Sequence, residues 1–253
     1  MEKIDIAAIV LAAGEGKRVN SRNINKVAYP FLGKPMITYG VELLRSIADK
    51  VVVVIGAFSE SVKEALKDFD VLYAYQEQRL GTGHAVKIGV GKIASFSPSL
   101  VLVGYGDHLM FYKKERVLSL IALHRQEQSA VSFFTVKHEN PNNLAWGRVI
   151  RDKNGAVVNI VEQKDATVEE KKIKELNTGF YCFDFVFLNK NLDKLEKSAA
   201  TGEYYLTDMV KIAVKQGKKV TGLPVPFDEV GIGVNRLDEL EESQRLYSMI
   251  YKR

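Results

Sequence analysis

The first residues with a pattern suited to chemistry are small ones that follow an apolar run near the N-terminus. Leu11, Ala12, Ala13 and Gly14 lead directly into the segment Glu15-Gly16-Lys17-Arg18. Small residues let backbone N–H groups come close to phosphate oxygens, and the Arg18 guanidinium can add a planar fork of donors. The segment is therefore a candidate phosphate-binding loop, with an ordinary glycine turn between strand and helix as the alternative.

This loop fits neither of two familiar phosphate-binding motifs. A dinucleotide-binding fingerprint needs a third glycine where Val19 stands, and the acidic residue expected about 20 positions after the loop is also missing. A P-loop needs Ser or Thr directly after its lysine, where this chain has Arg18. A nicotinamide-dependent dehydrogenase is therefore disfavoured.

Two further polar loops follow predicted strands in the same way. One runs from Gln76 to His84 through Gly81 and Thr82, and the other contains Tyr105 and Asp107. Loops at the carboxyl ends of parallel strands converge on one edge of a sheet, so these loops and the Gly14 loop are predicted to share one crevice. Mg²⁺ takes one or two protein oxygens plus substrate phosphates, which makes Asp107 a candidate ligand; a turn or helix-cap aspartate is the alternative.

No arrangement of a Ser, Cys or His nucleophile is evident in the sequence. The four histidines lack metal-ligand spacing, and we interpret all of them as non-catalytic: His84, His108, His124 and His138. A phosphate oxygen is already an anionic nucleophile near neutral pH, so its reaction needs alignment and charge neutralisation more than a general base.

The elements that must position these loops follow from hydrophobic periodicity. Strands are predicted at 4–12, 51–55, 71–75, 100–104, 130–136, around 180, and at 220–225. Helices are predicted at 36–48, 59–67, 82–94, 113–126, 184–194, 204–216 and from 236. Two extended segments, 146–151 and 156–161, flank an Asn-Gly pair suited to a tight hairpin turn. The pattern predicts an α/β protein: a Rossmann-like, mostly parallel mixed sheet with helices on both faces and a small antiparallel β insertion.

The composition supports one large domain with a full core. The chain has 253 residues, of which 46% are hydrophobic and 26% charged, and residues 1–253 contain no repeat or flexible linker. The net charge of +5 comes from scattered basic pairs, which favours solvated surfaces over a nucleic-acid patch. A single cysteine, Cys182, excludes an intrachain disulfide, and the apolar stretch 6–13 is too short to span a bilayer. We therefore expect a cytoplasmic protein without nucleic-acid or membrane partners.

Several short motifs stand in a specific order along almost the whole chain. They are LAAGEGKR at 11–18, LGKP after Lys26, QEQRLGTGHA at 76–85, YGD at 105–107, WGRV at 146–149, VEQKDA at 161–166, LNTG at 176–179, GEYYLTD at 202–208 and GVN at 233–235. The first occurs in many nucleotidyltransferases, and the later ones in this order are more specific. Together they resemble the uridylyltransferase domain of the GlmU family, bacterial bifunctional enzymes that make UDP-N-acetylglucosamine.

The resemblance implies a magnesium-dependent reaction in which N-acetylglucosamine 1-phosphate attacks the α-phosphorus of UTP directly and expels pyrophosphate. It implies that the loop at Gly14 and Arg18 hold the triphosphate, while Lys26 neutralises charge at the attacked phosphorus. Gln76 and Gly81 would read the uracil edge. The remaining residues would hold the amino sugar (Gly147, Glu162 and Asn177, with Tyr105 and Thr82 nearby) and Mg²⁺ (Asp107 and Asn235).

The sequence departs from the family pattern at several positions. Lys17 replaces a small hydroxyl residue, His108-Leu109 stands where a proline is common, and Asn235 is the single Asn where two are usual. The chain ends at Arg253, where the family continues into a hexapeptide-repeat acetyltransferase domain. We therefore expect no acetyl transfer and a monomer or weak dimer. The alternatives are transfer to glucose 1-phosphate or another small phosphorylated alcohol, and a non-catalytic sensor of nucleotide sugars.

Overall fold

The centre of the fold is a set of parallel strands whose side chains are buried on both faces of the sheet. A computed structural model describes residues 4–14 and 24–251. In it β1 (Ile6–Ala12) lies between β4 (Lys50–Ile55) and β6 (Leu100–Tyr105), with β5 (Leu72–Tyr75) outside β4, and all these pairs are parallel. Parallel strands buried on both faces read as continuous apolar runs, which is how they are recognisable in the sequence.

The second half of the chain makes the sheet mixed. β10 (Glu175–Asp184) runs antiparallel to both β6 and β7 (Val131–Lys137), and β11 (Val220–Pro224) adds in parallel to β7. The strand order is β11-β7-β10-β6-β1-β4-β5. An antiparallel hairpin of β8 (Arg148–Arg151) and β9 (Val157–Val161) joins β10 where Leu176 faces Arg148. The predicted mostly parallel mixed sheet with a small antiparallel insertion is confirmed.

Helices cover both faces of this sheet, as predicted. They are α1 (Met36–Arg45), α2 (Ser59–Ala65), α3 (Thr82–Ile93), α4 (Lys114–Gln126), α5 (Phe185–Asn191), α6 (Asp208–Lys215) and α7 (Leu237–Tyr251). Successive side chains of β1 point to opposite faces: Ile9 packs in a cluster with α3, α5 and α6, whereas Val10 packs in a cluster with α1, α2 and α4. Of the helices in the described ranges, none is long and apolar enough to cross a membrane.

A third apolar cluster anchors α7 beside a small two-stranded sheet, β2 (Pro30–Phe31) and β3 (Lys34–Pro35). The Phe31 ring meets Tyr247 of α7 edge-on, with centroids 5.5 Å apart. The Tyr251 hydroxyl donates to the Phe111 carbonyl at 2.8 Å, which ties the far end of the helix down. Because Asn235 stands two residues before α7, this cluster helps to fix where that residue lies.

Two local predictions differ from the structure in instructive ways. The helix predicted from 204 begins only at Asp208, because the Tyr204 backbone bonds to the loop after β5 instead of to a helix. The hairpin turn is not a two-residue Asn-Gly turn. Only Gly155 has positive φ (82°), while the Asp152 carboxylate accepts from the N–H groups of Asn154 and Ala156, both at 2.9 Å.

Candidate active site

The carboxyl ends of β1, β5 and β6 border an open cavity of about 540 Å³. The loops continue the sheet at this edge: the Gln76 N–H donates to Ile55 O at 2.8 Å, and the Gly106 N–H donates to Leu11 O at 2.9 Å. Every described residue expected to contact the nucleotide lines the cavity: Leu11, Ala12, Ala13, Gly14, Gln76, Gly81 and Thr82. Arg18, expected at the triphosphate, lies outside the described residues.

Asn25, which was not predicted from the sequence, bonds to the residues at which the Gly14 loop begins. Its side chain is almost fully buried, with 1% exposed. The amide nitrogen donates to the carbonyls of Ala12 (3.1 Å), Gly14 (3.0 Å) and Ala57 (2.7 Å). Its oxygen accepts from Val27 N–H at 3.1 Å and so caps the short helical turn that carries Lys26. The only sequence signal is a capping-type residue directly before that lysine.

Lys26, Asp107 and Asn235 come together although they are far apart in sequence. The Lys26 ammonium forms an ion pair with the Asp107 carboxylate and donates to Asn235 Oδ1 at 3.1 Å. The side chains of Lys26 and Asp107 are only 15% and 17% exposed. Partial burial strengthens the attraction of this oxygen pair for a positive charge.

The Asp107 and Asn235 oxygens suit a magnesium ion. Within residues 4–14 and 24–251, no group of three or more His, Cys, Asp or Glu side chains forms a metal cage. Mg²⁺ does not need one, because it commonly binds one or two protein oxygens together with substrate phosphates. That the oxygens of Asp107 and Asn235 already share the Lys26 ammonium shows that they can share a cation.

Backbone contacts hold Asn235 against Asp107. The Val234 N–H donates to Asp107 O at 3.1 Å. The Glu239 carboxylate accepts from the N–H groups of Asn235 (2.6 Å) and Arg236 (3.0 Å), so α7 fixes the residue that precedes it. The position of Asn235 therefore depends on both the loop after β6 and α7.

Gln76 lines the larger cavity, and its side-chain amide is fixed by hydrogen bonds. Its nitrogen is 3.2 Å from Gly81 O, to which it donates, and 2.9 Å from Nδ1 of His84. Burial lowers the pKa of His84, which favours the neutral ring that can accept this bond. The nitrogen side of the amide is thus used within the protein, which leaves Oε1 as the atom available to a ligand.

A glycine is required at position 81 because two segments meet there. Its φ is 104°, and a Cβ would lie 2.5 Å from the Tyr204 carbonyl oxygen. The Tyr204 N–H donates to Leu80 O and its carbonyl accepts from Gly83 N–H, both at 2.8 Å. The segment 202–208 is thereby pinned to the loop that carries Gln76.

A second, smaller cavity of about 170 Å³ adjoins the first. It brings together the three residues expected to hold the sugar: Gly147, Glu162 and Asn177. Tyr105, Asp107 and Asn235 line both cavities and so form their common boundary. The sequence-predicted site residues that the structure describes thus fall into two adjoining groups with the Asp107–Asn235 pair between them.

Two half-buried acidic side chains, Glu162 and Tyr105, line the smaller cavity. The Glu162 carboxylate accepts from the Thr207 hydroxyl at 3.0 Å, and burial raises its pKa. Burial and the nearby Glu162 raise the pKa of the Tyr105 phenol, which also bonds to Thr82. A half-buried carboxylate and a neutral phenol can offer directed acceptors and donors to a polyhydroxylated ligand.

Arg148 supports the loop beside the smaller cavity and was not predicted from the sequence as a site residue. Its side chain is 0% exposed, and its guanidinium donates to the Trp146 carbonyl. It also donates to Pro141 O and Asn142 Oδ1, both at 3.1 Å. These bonds hold the loop at 141–147, which ends in the cavity residue Gly147. A buried arginine has no periodic signal in a sequence.

Comparisons with known proteins identify the family of the chain. The family model described as Nucleotidyl transferase matches residues 7–226. The chain is 41% identical to the bifunctional protein GlmU of Caldicellulosiruptor saccharolyticus over 234 residues, which are 92% of this chain and 50% of that protein. It is 38% identical to the protein of that name from Acetivibrio thermocellus over 250 residues, or 98% of this chain and 53% of the relative. The chain thus spans about half the length of the curated relatives it matches.

Proposed function

The chain belongs to the nucleotidyl transferase family, and we propose that it joins N-acetylglucosamine 1-phosphate to UTP with release of pyrophosphate. One observation carries this proposal: a nucleotide-sized cavity and a smaller polar cavity share Tyr105, Asp107 and Asn235 at their boundary. Two substrates bound side by side would meet there. The similarity to the GlmU relatives supports transfer of a uridylyl group to a sugar phosphate.

The chemistry needs charge neutralisation at the boundary between the cavities. UTP carries about four negative charges and a sugar phosphate about two near neutral pH, so their approach is strongly repulsive. Mg²⁺ held by Asp107 and Asn235 would supply positive charge to the phosphates when bound. The Lys26 ammonium, which already reaches both oxygens, is placed to neutralise charge at the attacked phosphorus.

No residue needs to act as a general base in this reaction. The sugar phosphate oxygen forms the new bond to the α-phosphorus while the bond to pyrophosphate breaks, and no proton must be removed. The protein's task is to align the two substrates in the adjoining cavities. Gln76 and Gly81 would hold the uracil edge, with Gln76 Oε1 accepting from the base N–H.

The sugar end of the site supports an acetamido sugar as acceptor. Glu162 is a half-buried acceptor, Asn177 has both a donor and an acceptor, and Gly147 lines the same cavity. Glucose 1-phosphate, with a hydroxyl in place of the acetamido group, would leave part of this polar set unpaired. We therefore propose N-acetylglucosamine 1-phosphate as the preferred partner of UTP within this single catalytic unit.

The test is pyrophosphate release by the purified chain with Mg²⁺ and one of two acceptors. We expect rapid release with UTP plus N-acetylglucosamine 1-phosphate, and at least about tenfold lower kcat/KM with glucose 1-phosphate because buried polar groups lose partners. A reversed preference would assign the enzyme to glucose 1-phosphate. No release with any sugar phosphate, together with tight binding of UDP-N-acetylglucosamine, would make the chain a sensor instead.

A further inference from the structure

Strand β10 contains a bulge between Asn177 and Tyr181, at the wall of the smaller cavity. Asn177 pairs with Thr135 and Tyr181 with Phe133, so β10 advances four residues while β7 advances two. Inside the bulge Gly179 has a φ of 83°, and a Cβ there would lie 2.4 Å from the Tyr105 ring. Bulges often change the direction of side chains beside functional sites. Because of this bulge, Asn177 does not follow the regular pleat of the strand.

Tyr181 is a rigid support at the far end of this bulge. Its side chain is 0% exposed, and its ring stacks on Phe183 with centroids 5.5 Å apart. The hydroxyl reaches back across the bulge and accepts from Asn177 Nδ2 at 2.6 Å. An aromatic side chain locked in the core has little freedom, so the position of its oxygen is well defined.

The Asn177 amide is held from both of its ends. The Gly179 N–H is 3.2 Å from Asn177 Oδ1, which identifies that atom as the oxygen because an N–H needs an acceptor. Tyr181 then takes one N–H of the nitrogen. An amide has two N–H donors and two acceptor lone pairs, so one donor and one acceptor remain for a ligand in the cavity.

We infer that Tyr181 is a positioning residue: its hydroxyl orients the Asn177 amide so that the remaining donor and acceptor recognise an acetamido group on the sugar phosphate. The inference rests on the proposed function, in which Asn177 contacts the sugar. An acetamido group carries one N–H and one carbonyl, the complement of the free atoms of the Asn177 amide. Tyr181 thereby sets the selectivity between acetamido and hydroxyl sugars without touching the substrate.

The kinetic test compares Tyr181→Phe with Tyr39→Phe. Both changes remove one phenol hydroxyl and keep the ring; the Tyr39 hydroxyl donates to Phe31 O at 2.9 Å in the cluster beside α7. In Tyr181→Phe we expect the preference for N-acetylglucosamine 1-phosphate over glucose 1-phosphate, as a ratio of kcat/KM, to fall about tenfold. The KM for UTP should stay unchanged, and Tyr39→Phe should keep the wild-type ratio. An unchanged ratio in Tyr181→Phe, or equal losses with both sugars, would overturn the inference.

A second readout does not depend on turnover. In wild-type protein labelled with ¹⁵N, the side-chain amide signal of Asn177, assigned by its loss in Asn177→Ala, should exchange slowly with solvent. In Tyr181→Phe it should shift and exchange faster, while Tyr39→Phe leaves it unchanged. A rapidly exchanging Asn177 amide in the wild-type protein would overturn the positioning role. Absence of pyrophosphate release with a protected amide would instead defeat the proposed function alone.

Discussion

The two halves of the candidate site are built by different means. The larger cavity, which we propose for the nucleotide and call the nucleotide cavity, is bordered by loops that end parallel strands β1, β5 and β6, and backbone hydrogen bonds join these loops to neighbouring strands. The smaller cavity, which we propose for the sugar and call the sugar cavity, is bordered by an antiparallel hairpin, the 141–147 loop and the bulge in β10. It is supported by buried or half-buried polar side chains, above all Arg148, Glu162 and Tyr181.

The difference has a physical origin. Parallel βα units bring strand ends to one edge through topology alone, so a loop there needs only small residues and a few polar ones to form a site. The antiparallel strands around the sugar cavity do not place their loops by topology in this way. Their polar side chains are positioned by specific hydrogen-bond partners. Substitutions on the nucleotide side should therefore change binding selectively, whereas those on the sugar side should also change stability.

Asp107→Asn should have the largest effect, because this residue belongs to both halves. The change keeps size but removes the charge that attracts Mg²⁺, so kcat should fall about a hundredfold or more and the Mg²⁺ needed for half-maximal rate should rise. Asn235→Ala should act in the same direction. The control is Asp49→Asn at the opposite end of β1, where the carboxylate accepts from the N–H groups of Asp5 (2.9 Å) and Ile6 (3.0 Å). Wild-type turnover and Mg²⁺ dependence in Asp107→Asn would make Asp107 a turn residue.

Arg148→Met tests whether the sugar half couples binding to stability. The carbonyls of Trp146 and Pro141 would lose a buried donor, which should cost about 2 kcal/mol or more in the free energy of unfolding. The KM for the sugar phosphate should rise and that for UTP should stay near the wild-type value. Arg151→Met, on the same strand but in a partly exposed pair with Glu175, is the matched control. Equal losses in both variants would contradict the special role of Arg148.

Gln76→Glu should affect the nucleotide half alone. The new carboxylate would face Gly81 O and His84 Nδ1, both acceptors in the wild-type protein, so the KM for UTP should rise about tenfold. The deficit should shrink as the pH falls, because a protonated His84 can donate to the carboxylate. Gln78→Glu, on the exposed side of the same loop, controls for added charge. An unchanged KM for UTP and unchanged base preference in Gln76→Glu would remove this residue from the site.

The contrast between the halves also explains what the sequence could predict. The strands β1, β4 and β6 and the convergence of Gly14, Gln76 and Asp107 follow from periodicity and topology alone. The family resemblance, confirmed by the Nucleotidyl transferase match over residues 7–226, added Asn235 and the sugar residues. Asn235 and the predicted sugar residues line the two cavities, and their roles are proposals.

The parts that the sequence could not predict depend on contacts between distant segments. Asn25 is recognisable only once three carbonyls surround it, and the bulge between Asn177 and Tyr181 has no signal in hydrophobic alternation. Helix α6 was predicted to begin at Tyr204 but begins at Asp208, because Tyr204 makes its backbone bonds to Leu80 and Gly83. In each case a tertiary hydrogen bond overrides a local preference.

Glu162→Gln should have the smallest effect on stability. It tests directly whether the Glu162 carboxylate is shielded from water in the folded protein. Burial raises the pKa of Glu162 in the folded protein above its value in the unfolded chain. Below the unfolded value both states hold the proton and no penalty exists. As the pH rises, the unfolded chain releases the proton first, so the wild-type protein loses stability up to and through the folded pKa.

An amide at position 162 cannot ionise, yet its oxygen can still accept from Thr207. Glu162→Gln should therefore melt a few degrees higher than wild type at neutral pH, and the difference should vanish at acid pH, as measured by Tm across a pH series. The same variant should bind the sugar phosphate more weakly, which separates its stability from its function. Glu169→Gln, at an exposed carboxylate, is the control. A melting difference that stays constant with pH would mean that Glu162 is well solvated, and the sugar half would then resemble the nucleotide half more closely than its buried side chains indicate.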